Sequence, residues 1–502
     1  MGEPFILSLD LGLTHAKAVV FRSNGSLVER ESVSYPTRRP AADRVEQDPD
    51  DWWLALTTAV RAIGQRSPDA LGAVEAVGVT GHMHGLVLED SHRRPIGPAI
   101  VLGDRRATVE AKELSEDLGQ SSIAHTTGAT LDPSMPAAEL RWLADHEPER
   151  LRDVVLVTGP KDHLRGRLTG DRLTEPIDAC ATALYDIRTS RWWPDMLAAA
   201  GLRSELVPDL VPCETIAGSL RSEPAAALGV PSGVPVVVGA GDDVEVLGGG
   251  LLEPGEALEH LGTTGSILAV AAHAVDDPGL ALELYPHVLP DRWVVGGSMT
   301  TAGAALGWVA ALLGFDGVEA MLSAIGERPN RLLDEGAGPL FIASLAGDRC
   351  PTRDPAARGA WLGLDPSFDR AGLARSAFEG VAFSLERILR AIDKLIGPQE
   401  RIVVSAGGAD LDPRWLALRA SVYGQPLVTL ETPEPTALGL ATVVAAGAGI
   451  HGDVSTAVRT MSRRVDEVMP SAPSVAILRS AADANERAVA ALRSLWPRSP
   501  SA

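Results

Sequence analysis

The chain has 502 residues and a formal net charge of −21, from 66 acidic against 45 basic side chains. That length exceeds what one compact core holds, so two or more domains are expected. The acidic balance excludes nucleic acid or an anionic membrane as the main partner, and leaves any phosphate to be held by local backbone donors, a few cations and a metal.

Three cysteines lie far apart with no CxxC pair (Cys180, Cys213, Cys350), which implies neither a disulfide framework nor a zinc site. The chain opens on the strand-like run Phe5–Leu9 with no basic leader, and the uncharged stretch from Trp293 to Phe315 is broken by glycines and threonines. A strand end followed by a buried helix is expected there, not a membrane span, and the protein is expected to be soluble and cytoplasmic.

Phe5–Leu9 and Ala16–Phe21 are apolar runs around the turn Asp10-Leu11-Gly12-Leu13-Thr14-His15, and Ser23-Asn24-Gly25 leads to a third strand over 26–35. The first turn, with Lys17 just beyond it, can offer N–H groups and a hydroxyl to a phosphate while Asp10 faces a magnesium ion; equally, D-x-G-x-T can be only a turn. Asp48-Pro49 predicts a helix start with Asp48 as N-cap, and Trp53, Leu56, Val60 and Ile63 as its buried face. A strand over 73–79 precedes Thr80-Gly81-His82-Met83-His84-Gly85, whose histidines at i, i+2 suit a polar substrate wall better than a metal pair. Asp104 beside Arg105 and Arg106 reads as an ion pair or, in a cleft, as a polyol contact. The segment 107–212 looks helical, and Lys161-Asp162 reads as capping. Prolines from Pro208 to Pro235 mark a boundary, which divides the chain into domains over 1–235 and 236–502.

The second half opens on a β-branched run, Val236-Val237-Val238, ending in Gly239-Ala240-Gly241 and then Asp242-Asp243. An acid on such a turn can accept a proton from a substrate hydroxyl, help hold a metal, or simply cap a helix. Leu261-Gly262-Thr263-Thr264 echoes Leu11-Gly12-Leu13-Thr14 at the edge of another apolar run. A long amphipathic helix carries Phe378, Val381, Leu385, Ile388, Leu389 and Ile392 on one face. A strand over 402–405 then leads to Ala406-Gly407-Gly408-Ala409, bare backbone on which a base or sugar can lie, or a close helix–strand contact. Asp412-Pro413 caps another helix, and Ser474 to Leu495 reads as the last one.

In their order and spacing these segments resemble the FGGY carbohydrate kinase family of the actin-like ATPase superfamily, in its xylulokinase-like branch. The residues that carry the resemblance are E-Q-D-P-x-x-W-W at 46–53, G-x-M-H-G at 81–85, G-D at 241–242, L-G-T-T-G at 261–265, G-D-R-x-P at 347–351, D-P-x-A-R-G at 354–359 and G-G-A at 407–409. The resemblance implies an α/β chain of two RNase-H-like domains, with ATP and a sugar in the cleft between them and the last helix able to pack back on the first domain. It implies transfer of the γ-phosphate of ATP to a ketose hydroxyl, D-xylulose foremost; another ketose or a polyol, or a binding regulator of the same fold, stays open. Asp242 would be the catalytic base, and Met83, His84, Asp104 and Asp242 would meet the sugar. Asp10 and Asp242 would hold Mg2+. Gly12, Thr14 and Lys17, then Gly262, Thr263 and Thr264, would hold phosphates, and Gly407, Gly408 and Ala409 would line the adenosine pocket. The partner implied is a small-molecule sugar, with a homodimer as the family expectation. The chain departs from the family pattern at Leu13, His15, His82, Leu102-Gly103 and Asp243, positions that surround the expected reactants.

Overall fold

The strand Phe5–Leu11 is buried on both faces, as a central strand must be. In a computed structural model that describes residues 4–325, 338–405 and 408–496, it pairs antiparallel with His15–Arg22 and parallel with Val74–Gly81. The sheet continues on one side to Leu27–Ser34 and on the other to Pro235–Val237 and Ile216–Ser219. It belongs to a first compact unit that runs up to Leu252 and includes Leu284–Trp293 and Glu434–Arg463. The expected boundary at 235 therefore falls inside this unit. Pro235–Val237 hydrogen-bonds to Val74–Gly81 and carries the Asp242 turn with it.

The second unit comprises Glu253–Glu283, Val294–Pro433 and the chain from Arg464. Its central strand Glu256–Leu261 pairs antiparallel with Gly265–Ala271 and parallel with Arg401–Ser405, which pairs parallel with Leu427–Leu430 and through it antiparallel with Arg464–Val468. These are the strand directions of the first sheet in the same succession, so the echo between Leu11–Thr14 and Leu261–Thr264 is one of topology as well as of letters.

Helix Pro49–Arg66 starts as expected, with the Asp48 carboxylate accepting from Asp50 N at 3.1 Å and proline in its first turn. Its buried tryptophan is Trp52; Trp53 is only half-buried, under the Arg167 guanidinium. In helix Arg370–Ile396 all six residues expected on the apolar face are buried. The last helix, Ala472–Leu492, lies in the second unit, where Asn485 Nδ2 donates to Phe341 O at 3.0 Å. Among the described residues no single helix is long and apolar enough to cross a membrane, and Trp293–Met299 followed by Gly303–Leu312 is the expected strand and helix.

Helix Pro435–Gly447 fixes the segment after Asp242. A Cβ on Gly248 would lie 1.9 Å from Pro435 O, and one on Gly439 2.1 Å from Val244 O. The two backbones touch because both contact points are glycines.

Candidate active site

The Asp242 turn is built on glycine. Gly239 takes φ +79°, and a Cβ there would strike Val79 O at 2.2 Å. Gly241 donates its N–H to Glu175 Oε1 at 3.0 Å, and a Cβ on it would meet Met83 Sδ at 2.7 Å. Asp242 opens a short 3-10 helix whose N-cap is Gly241 and which has no side-chain cap, so Asp242 is not its cap. The Asp242 carboxyl is half-buried. Burial raises its pKa well above the usual carboxylate range, and the nearby charges of Asp243, Asp10, Asp178 and Glu245 push it the same way.

Asp10 stands one residue before the end of the central strand, buried, and its pKa is pushed up to about 6 by burial, against the opposing pull of Lys17. Lys17 Nζ stands 3.9 Å from Asp10 Oδ2 and 3.0 Å from Glu434 Oε2. Burial works against its charge, but Asp10 and Glu434 raise its pKa overall. The Gly12–Thr14 turn is braced from behind: the Tyr35 hydroxyl donates to Gly12 O, and Gln47 Nε2 donates to Leu13 O at 2.8 Å. Gln47 Oε1 accepts from the buried Trp52 indole at 2.9 Å. Gln47 of the E-Q-D-P segment thus supports the Gly12–Thr14 turn. His15 pairs with Thr14, Nδ1 to Oγ1 at 2.9 Å, on the exposed side.

The Gly81–Gly85 loop follows the strand parallel to the central one, and His82 N donates to Leu11 O at 2.8 Å. His82 is buried with its ring 5.9 Å from that of Trp52, and burial lowers its pKa to about 4, so the imidazole is neutral at neutral pH. Met83 is buried against Gly241, and His84 takes the left-handed conformation, φ +64°. Met83 therefore lies against the residue that precedes Asp242. Asp104 is not left open to a ligand. Its buried carboxylate accepts from Val45 N at 2.7 Å and from Arg106 N, Nε and Nη2 at 2.8–2.9 Å, while Arg106 also reaches Glu46 at 2.7 Å. Of the two readings of this aspartate, the ion pair is the one formed.

In the second unit, the carbonyls of Gly262 and Thr263 accept from the N–H groups of Ala302, Gly303 and Ala304 at 2.9–3.2 Å, and the side chains of Thr263 and Thr264 are exposed. Gly408 and Ala409 open the short 3-10 helix Gly408–Leu411, before the Asp412 cap of Pro413–Tyr423; Gly407 lies outside the described residues.

The sequence profile of the FGGY family of carbohydrate kinases, N-terminal domain, matches residues 5–249, and that of the C-terminal domain matches residues 258–448. The chain belongs to this family. The xylulose kinase of Escherichia coli is 33% identical over 423 residues, covering 84% of this chain and 85% of that one. The gluconokinase of Bacillus licheniformis is 28% identical over 448 residues, 87% and 86% of the two chains. A solved structure described as a xyloylose kinase from Brucella ovis superposes with a TM-score of 0.90 at 29% identity, covering 98% of this chain and 100% of that one. The protein is a sugar kinase phosphotransferase of an ATP-dependent family, with the actin-like ATPase fold and a small-molecule sugar as acceptor.

In this kinase the largest group that sequence reading missed lies directly beneath the Asp242 turn. Lys161 and Asp162 do not cap helix Pro160–Thr169, whose N-cap is Gly159 with no side-chain bond. They are buried with Arg165. Lys161 pairs with Asp162 and stands 3.5 Å from both Glu175 and Asp178, and Arg165 pairs with Asp162 and Asp171 and donates to Val238 O at 3.2 Å. Glu175 also caps Pro176–Cys180 by accepting from Ile177 N and Asp178 N. The available signal was the density of charge in Lys161–Arg167, which a solvated helix face would equally explain.

Proposed function

We propose that this kinase transfers the γ-phosphoryl group of ATP to the terminal hydroxyl of a ketose, D-xylulose foremost, with Asp242 as the general base. The observation that carries the reading is the contact of Met83 with Gly241, which joins the loop of the xylulokinase-like motif to the residue preceding the acid. Asp242 would take the hydroxyl proton as the oxygen attacks the γ-phosphorus, the bond to the β,γ-bridging oxygen breaks, and ADP departs. A carboxyl whose pKa stands above the ordinary range binds that proton more firmly once ionised, which suits the task.

Met83, His84 and Asp242 are assigned to the sugar, and Asp104 with Arg106 to holding the Glu46 segment. Gly12, Thr14 and Lys17 are assigned to phosphate, and Gly262, Thr263, Thr264, Gly408 and Ala409 to the nucleotide, with Gly407 beside them in sequence. Asp10 and Asp242 are the residues that would hold Mg2+. They fit a cation: burial raises the cost of ionising both, and the charge of Asp10 adds to that of Asp242. Among the described residues no group of three His, Cys, Asp or Glu side chains forms a cage, which agrees with magnesium's habit of resting on one or two carboxylates and the phosphates of its nucleotide. When bound, it supplies neutralisation of phosphate charge.

The test is ADP release from Mg-ATP against D-xylulose, L-xylulose, D-ribulose, L-ribulose, glycerol and gluconate. Strong stimulation by D-xylulose is the expected result. Stimulation by gluconate or glycerol alone would overturn the ketose assignment.

A further inference from the structure

In a chain of net charge −21, one cavity of the first unit is basic. It has a volume of about 550 Å³ and is walled by His92, Arg93, Arg94, His163, Arg167 and Arg221, with Asp50 and Glu223 as the acids of the lining and Asp90 holding Arg94 at 2.7 Å. Four arginines converge from the turn after Glu89, from helix Pro160–Thr169 and from the start of helix Ser222–Leu228.

The wall is built, not a chance meeting of surface side chains. The buried Glu89 carboxylate meets His163 Nδ1 at 2.7 Å and Arg93 Nε at 2.8 Å, fixing both side chains from behind. Arg93 keeps the left-handed conformation, φ +64°, which a non-glycine residue adopts only at a cost. Its Nη2 lies on Gly166 so closely that a Cβ there would come within 1.8 Å. Among the described residues, the buried atoms Arg93 Nη1 and His163 Nε2 have no hydrogen-bond partner, although the His163 side chain is only 3% exposed. Buried polar groups left so are uncommon and ask for an explanation.

The rim is exchangeable. Arg167 Nη1 meets Asp50 at 2.7 Å, but the Asp50 side chain is 70% exposed, and such pairs are weak. Arg221 donates to Arg167 O at 3.1 Å and has no carboxylate partner among the described residues. The cavity volume lies in the range of small-ligand sites, and arginine forks match phosphate oxygens in geometry and charge.

We propose that this cavity binds a small phosphorylated anion at a second site, apart from the Asp242 turn. His163, Gly166 and Arg167 face it, whereas Lys161, Asp162 and Arg165, at the complementary positions of the same helix, hold Glu175 and Val238 next to that turn. A ligand that draws Arg167 off Asp50 therefore loads the helix on which the Asp242 turn rests.

The test is calorimetric titration of the full-length protein with inorganic pyrophosphate and, separately, glucose 6-phosphate, with ADP saturating and no divalent cation, so that the nucleotide site is already filled. Binding of either probe is expected, weakening at higher salt, and falling by about tenfold or more in R167Q/R221Q, which removes two charge-assisted contacts. Both side chains lie at the rim, so the variant should keep its urea midpoint and its ATP affinity; R221Q alone serves if it does not. Binding of neither probe, or binding undiminished in the variants, would overturn the proposal.

Discussion

Two clusters of buried charge meet at Gly241, and they are arranged in opposite ways. On one side, Lys161 and Arg165 stand among Asp162, Asp171, Glu175 and Asp178, each cation touching several carboxylates. Asp162 is held ionised there: burial opposes its charge, but Lys161 and Arg165 outweigh it and lower the pKa. On the other side, the main influences on Asp242 are burial and four carboxylates, all raising its pKa, and the cation nearest Asp10 is a half-exposed lysine at 3.9 Å. The first arrangement minimises the cost of burial. The second maintains it, as expected where a proton or a cation is to be bound during function.

The contrast can be broken from either side. Asp242→Asn should lower sugar-dependent ADP release by about 10³-fold, roughly 4 kcal/mol of barrier, while ATP binding by calorimetry stays and the urea midpoint at alkaline pH rises. Lys161→Met should do the reverse to stability, because it strands buried carboxylates; a loss of about 3–5 kcal/mol by urea denaturation is expected. Asp10→Asn sharpens the point through pH. Ionising Asp10 is harder in the folded chain than in the unfolded one, so its contribution is full below the ordinary value of 3.8 and is lost as pH rises through about 6. The variant should match the parent at low pH and exceed it by about 1–3 kcal/mol above that range. Gly241→Ala tests the junction itself. Its backbone is permitted at φ −55°, but the added methyl meets Met83 Sδ at 2.7 Å. The sugar KM should rise by about tenfold, near 1.4 kcal/mol, with little change in KM for ATP.

Much of this was legible in the sequence, because turn chemistry and strand ends are local. The Asp48 cap, the hairpin at Gly12, the apolar face of Arg370–Ile396 and the glycines before Asp242 are each set by a few adjacent residues. What was missed is long-range pairing. Nothing near Lys161 announces that it meets Glu175 and Asp178, nor near Asp104 that it also accepts from Val45 N. Nor does anything near Gln47 announce that it braces Leu13, a contact 34 positions away. Trp53 was read as the buried tryptophan in place of Trp52 because both fit a helical apolar stripe and only the partner across the interface separates them.

The most direct test of the account is the pH dependence of D-xylulose-stimulated ADP release under kcat/KM conditions. If Asp242 is the base and burial, with the surrounding carboxylates, raises its pKa, the rate should already be falling as the pH is lowered to about 5, where an ordinary aspartate would still be ionised. A rate that stays flat down to that pH, in protein still folded and binding ATP, would contradict the assignment of Asp242.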